Sequence, residues 1–152
     1  MIQRIQSLYL LVSTLLGVAC LSLPLGYFCT AQGERFADLY NLWFKYTETG
    51  EHVFTPWALF ALLVIVTTLT FLNIFLFRRR ALQMRVLTLC MVLLVGYYAL
   101  LGFLIFQAHA DGNTFTPTVM AAFPFIGIVL DYLAFRGILK DELLVRSLDR
   151  LR

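Results

Sequence analysis

Charge is what this sequence lacks. Only 14% of its 152 residues are Asp, Glu, Lys or Arg, where an ordinary soluble domain carries about a quarter. The scarcity is patterned: residues 5–33, 53–77, 86–110 and 112–130 hold no charged side chain. Cysteine is scarce as well. Cys20, Cys29 and Cys90 are scattered and form no CxxC pair, which excludes a disulfide framework and disfavours thiol–disulfide enzymes. There is no P-loop, dinucleotide fingerprint or nucleophile elbow, so the common signatures of phosphate binding and acyl hydrolysis are missing. A net charge of +3 is too modest to signal nucleic acid, and no nucleic-acid partner is expected.

What fills the uncharged stretches is apolar length. Hydrophobic residues make up 61% of the chain, more than a soluble globule of this size can hide, so lipid must cover much of the surface. Each uncharged window is near the roughly 20 residues that carry a helix across a hydrocarbon core. Four spans are expected, at about 5–28, 56–77, 86–107 and 117–135, followed by a cytoplasmic tail over 136–152. Long runs without alternation are helical rather than barrel strands. The expected fold is therefore an all-α transmembrane bundle of four helices, up-down-up-down, in a single domain.

The distribution of the cations orients it. Arg4, Arg78, Arg79, Arg80, Arg85, Arg136, Lys140, Arg146, Arg150 and Arg152 fall on one side of the four-span arrangement, against Arg35 and Lys45 on the other. By the positive-inside rule both termini face the cytoplasm. The first apolar run outlasts the core of a secretory signal. Gly17 also stands three before Cys20, where a lipoprotein site wants a larger aliphatic residue. An uncleaved first helix is expected.

Beyond the bilayer the largest piece is the first outer loop, about 29–55. There LYNLWFKY (39–46), the turn-forming TETGEH and then VF predict a short β-hairpin lying over the bundle. FTPW (54–57) and FTPT (115–118) both read as helix starts, Thr capping and Pro in the first turn. Pro24 and Pro124 are expected to kink or end their helices. After the fourth span, Leu144, Leu148 and Leu151 form one apolar stripe of an amphipathic extension, with Glu142 and Arg146 as a helix-stabilising pair.

Polar groups within spans are the candidate functional residues. Asp131 stands alone in IGIVLDYLAFRG, five residues before Arg136, with Asn73 at the same distance from Arg78 and Gln6 and Thr88 at similar depth. One reading makes Asp131 a proton or cation relay; the other pairs it with Arg85 or Arg78 as an anchor for the fourth helix. Tyr97 and Tyr98 need partners for their hydroxyls in hydrocarbon. Thr67, Thr68, Ser13 and Thr14 are the expected ones, with a quinone or lipid pocket as the sharper alternative. Gly96, Ala99 and Gly102 give the third helix a small-residue strip for close packing. His52 and His109 lack the compact spacing of a metal or haem site, and no cofactor is expected. A small multidrug transporter would need an acid in the first span, and there is none.

The two ends are distinctive. MIQRIQSLYLL (1–11) and KDELLVRSLDRLR (140–152) resemble the signatures of a family of small four-helix inner-membrane proteins, widespread in Bacteroidota and classed as a domain of unknown function. The resemblance implies four spans and brings no activity, cofactor or catalytic residue. The layout of loops also resembles that of claudin-like proteins, without their paired loop cysteines.

These features point to a non-enzymatic accessory or structural subunit of a larger inner-membrane complex. Docking would use the Arg-rich face (Arg78, Arg79, Arg80) and the tail leucines (Leu144, Leu148, Leu151), with anionic lipid and other inner-membrane proteins as partners. The alternative is a small transporter or a quinone- or lipid-binding protein using Asp131 and Asn73.

Overall fold

The computed structural model describes residues 2–30 and 32–149, without the side chains of residues 2–4, 78, 146, 148 and 149. Among the expectations above, the side chains of Arg4, Arg78, Arg146 and Leu148 and the whole of Arg150, Leu151 and Arg152 lie outside the described residues.

Four helices dominate: α1 (Ile2–Ser22), α2 (Trp57–Phe75), α3 (Arg80–Ala110) and α4 (Phe123–Asp149). All are long and apolar enough to cross a membrane. Successive helices run antiparallel and form a ring, each packed on its two neighbours, with α4 closing back onto α1. Their apolar residues do not all turn inward. Leu15, Phe75, Val92 and Phe125 are more than half exposed, one on each of the four helices, the pattern of a helix apolar on every side. The interior holds two clusters. One is built around Leu10, Leu87, Ala134 and Ile138; the larger joins the helices to a β-sheet through residues such as Phe28, Leu39, Leu63 and Leu101.

That sheet is the main departure from an all-α fold. Strands β1 (Gly26–Cys29), β2 (Arg35–Leu39), β3 (Phe44–Tyr46), β4 (His52–Val53) and β5 (Thr114–Pro117) form one antiparallel sheet in the order β4-β3-β2-β1-β5. It closes the end of the bundle where α1 and α3 finish and α2 and α4 start. The expected hairpin is there as β3–β4, turning through Gly50 at φ +67°, but it is one edge of a larger element. The register puts Gly26, Phe28, Ala37, Leu39 and Phe44 on one face, and Phe28, Ala37 and Leu39 are buried there.

Several boundaries move accordingly. The first helix stops at Ser22, short of residue 28, because Pro24 cannot continue it. The chain then turns into β1, which an apolar run alone disguises as more helix. Gly26 makes the next pairing feasible: a Cβ there would lie 2.5 Å from the Phe115 ring and 2.6 Å from the Thr116 carbonyl. FTPT is strand, not helix start. Pro117 ends β5, a 3₁₀ turn covers Val119–Ala122, and Pro124 falls in the first turn of α4, where it starts the helix instead of kinking it. At α2, Pro56 occupies the cap position and no side chain caps, Thr55 included. Helix α3 is longer than expected at both ends, taking in most of the Arg-rich segment. Only Arg79 separates it from a 3₁₀ turn at Leu76–Arg78.

Candidate functional site

Asp131 projects from α4 into the bundle and is fully buried. Ser13 of α1 lies beside its carboxyl, yet among the described residues neither carboxylate oxygen has a partner at hydrogen-bonding geometry. Cys90 of α3 has both Asp131 and Thr70 of α2 in its surroundings, and the buried Thr70 hydroxyl is also without a bonded partner among the described residues. Each helix thus contributes one polar side chain to this interior region. The anchor reading meets a correction here: no ion pair joins Asp131 to Arg85 or to any other described residue. The depth changes as well. Gln6 of α1 donates to Asp141 Oδ2 at 2.9 Å, which sets the level of the basic end near residue 141 of α4 rather than at Arg136. Ten residues of helix separate that level from Asp131, about 15 Å.

Asn73 is engaged elsewhere. Its Nδ2 donates to the Gln83 carbonyl at 3.3 Å, and Gln83 Nε2 donates to the Asn73 carbonyl at 3.2 Å. This reciprocal pair, buried on both sides, staples the end of α2 to the start of α3. Sequence reading missed Gln83 by placing it in a loop; once α3 is known to start at Arg80, it falls on the inner face of the first turn.

The tyrosines serve the sheet end. Tyr97, fully buried, donates its hydroxyl to Asn41 Oδ1 at 2.7 Å, and Asn41 Nδ2 donates to the Cys20 carbonyl at 2.7 Å. Asn41 stands between β2 and β3, so this chain of bonds ties the sheet to α3 and α1 together. Tyr98 donates to the Ala121 carbonyl at 2.7 Å and accepts the Phe125 N–H at 2.9 Å, fixing the entry into α4. The partners expected from depth do not serve them: Thr67 and Thr14 bond back to the Leu63 and Leu10 carbonyls of their own helices. Asn41 was overlooked because LYNLWFKY reads as strand, although an Asn amid such apolar neighbours is itself a signal of a buried polar bond.

The two glycines of the α3 strip face no other helix of the bundle: a Cβ on Gly96 or Gly102 would meet nothing within 4 Å, whereas one on Gly17 of α1 would lie 2.5 Å from Thr67 Oγ1 of α2, the tight crossing. His52 packs edge-on against Trp43, while His109 is in the last turn of α3. Among the described residues, no three His, Cys, Asp or Glu side chains are placed to hold a metal.

The basic end presents a groove of about 590 Å³ between the start of α3 and the end of α4, lined by Arg79, Arg80, Leu82, Arg85, Glu142 and Val145. Helix α4 itself runs through without a break at residue 135, carrying Leu139, Leu143, Leu144 and Val145 exposed beyond Arg136.

No curated protein matches this chain. A family match does, over residues 2–151, and the chain belongs to that family, Domain of unknown function (DUF4293).

Proposed function

We propose that this chain is a four-span protein of the bacterial inner membrane that serves as a non-enzymatic accessory or structural subunit of a larger complex. The outward apolar side chains of the four helices support insertion, and the crowding of arginines at one end supports a cytoplasmic basic end with both termini inside. The sheet then lies on the outer face. The observation that carries the subunit reading is the tail of α4. Leu143 is 58% exposed and Leu144 51%, on a helical extension past the basic residues that its own fold leaves uncovered; such a face asks for a partner helix. Purification from native membranes in mild detergent tests this. Stoichiometric co-elution of other membrane proteins, lost on removal of residues 140–152, is the expected result. A chain that migrates alone, indifferent to the truncation, ends the subunit reading.

A second reading rests on a different observation, the two carboxylate oxygens of Asp131 buried without a donor. Under it the chain is a small transporter, or a quinone- or lipid-binding protein, with Asp131 as the group that takes up and releases the ion or proton. Asn73 then serves by positioning α2 through Gln83. Reconstituted vesicles decide the transport form: Asp131→Asn abolishes the uptake signal while helix content stays unchanged. A variant that retains uptake rules Asp131 out.

A further inference from the structure

We infer that the groove at the basic end is a binding site for one anionic phospholipid. This rests on the membrane-spanning part of the reading above and names the occupant of its Arg-rich face. Arg79, Arg80 and Arg85 line the groove, and none of their guanidinium groups has a hydrogen bond or ion pair with a described residue. They differ in this from Arg35 at the sheet end, which bonds Asp38 at 2.7 Å and stacks 4.7 Å from the Tyr27 ring centroid. Among the described residues Glu142 is the one carboxylate in the lining, and it is itself engaged. Among the described residues, three guanidinium groups against one carboxylate leave the groove with uncompensated positive charge.

The remaining lining selects the kind of anion. Leu82 and Val145 are 43% and 44% exposed on the two walls, so an occupant meets cations at one level and apolar side chains beside them. A phospholipid matches both: its phosphate accepts from the guanidinium forks, and its acyl chains cover Leu82 and Val145. A free phosphate satisfies only the first, and a neutral lipid only the second. The site also has a structural consequence. Its walls belong to α3 and α4, and a phosphate bridging them would clamp the two helices at the end opposite the sheet.

The full-length chain, purified in mild detergent and stripped of lipid, is titrated with phosphatidylglycerol and with phosphatidylcholine of identical acyl chains. Native mass spectrometry counts the lipids bound. The first phosphatidylglycerol is expected to bind at a concentration about thirtyfold below that for phosphatidylcholine, the preference due to two uncompensated charges near an anionic headgroup. In Arg79→Gln/Arg80→Gln/Arg85→Gln the preference collapses to about threefold or less. In Arg136→Gln/Lys140→Gln, a basic pair on another face of α4, it persists. If the triple variant loses helix content, Arg85→Gln alone is read instead, with an expected loss of about fivefold. Equal binding of the two lipids, equal loss in the control pair, or displacement of the lipid by millimolar inorganic phosphate overturns the proposal. Carbonate extraction of the membranes separates the two failures. Release of the chain would sink the spanning reading, whereas retention without lipid preference sinks only this site.

Discussion

Removing one oxygen atom at Tyr97 should loosen the sheet from the bundle. The Tyr97 hydroxyl is buried and gives its proton to Asn41 Oδ1 at 2.7 Å, while the same Asn41 donates to the Cys20 carbonyl at 2.7 Å. Tyr97→Phe leaves Asn41 Oδ1 without a donor in a place water does not reach, a loss of about 1–3 kcal/mol. Asn41→Ala is worse. It strands both the Tyr97 hydroxyl and the Cys20 carbonyl and opens a small void, together about 3–5 kcal/mol. In that background the hydroxyl is already an orphan, so adding Tyr97→Phe should cost nothing or restore stability, a coupling of about 1–3 kcal/mol. Equilibrium unfolding in mixed micelles measures the cycle. Trp43, whose ring stacks 5.7 Å from Tyr40 beside Asn41, reports the sheet once Trp57 is replaced by Phe; far-UV circular dichroism reports the helices. The fluorescence midpoint should fall further than the helical one. If Tyr97→Phe costs the same with and without Asn41, to within about 0.3 kcal/mol, the bond is not what holds the sheet down.

Four substitutions along the helices test the bundle itself. Asp131→Asn replaces two acceptors that have no donor with a neutral isostere, so stability in the same unfolding assay should hold or rise by about 1 kcal/mol; a fall of that size would reveal a partner for the carboxylate. Gly17→Ala drives a methyl to 2.5 Å from Thr67 Oγ1 and should cost about 1–3 kcal/mol by forcing α1 and α2 apart. Gly96→Ala and Gly102→Ala, which meet nothing within 4 Å, should gain up to about 1 kcal/mol each from helix propensity. Reversal of that order would mean that the strip on α3 packs against something in the folded protein.

The helices were legible along the chain, because a run of some twenty uncharged, apolar residues has few other ways to satisfy its backbone. So were the antiparallel order of the helices and the crowding of arginines at one end, since both are set by what lies next to what along the chain. Asp131 was conspicuous for the same reason. Its surroundings were not, because Ser13, Thr70 and Cys90 come from three other helices, and helical depth counted from arginines misplaced the basic end by more than a turn. The sheet, by contrast, is a product of packing. β1 pairs with β5 across most of the chain, each strand is four residues long, and neither carries enough alternation to stand out from the apolar runs they adjoin. The same holds for Asn41 and Gln83, polar side chains that matter because of carbonyls and hydroxyls brought to them by other elements. Local hydropathy identifies what must be kept from water; which buried polar groups meet is decided by packing.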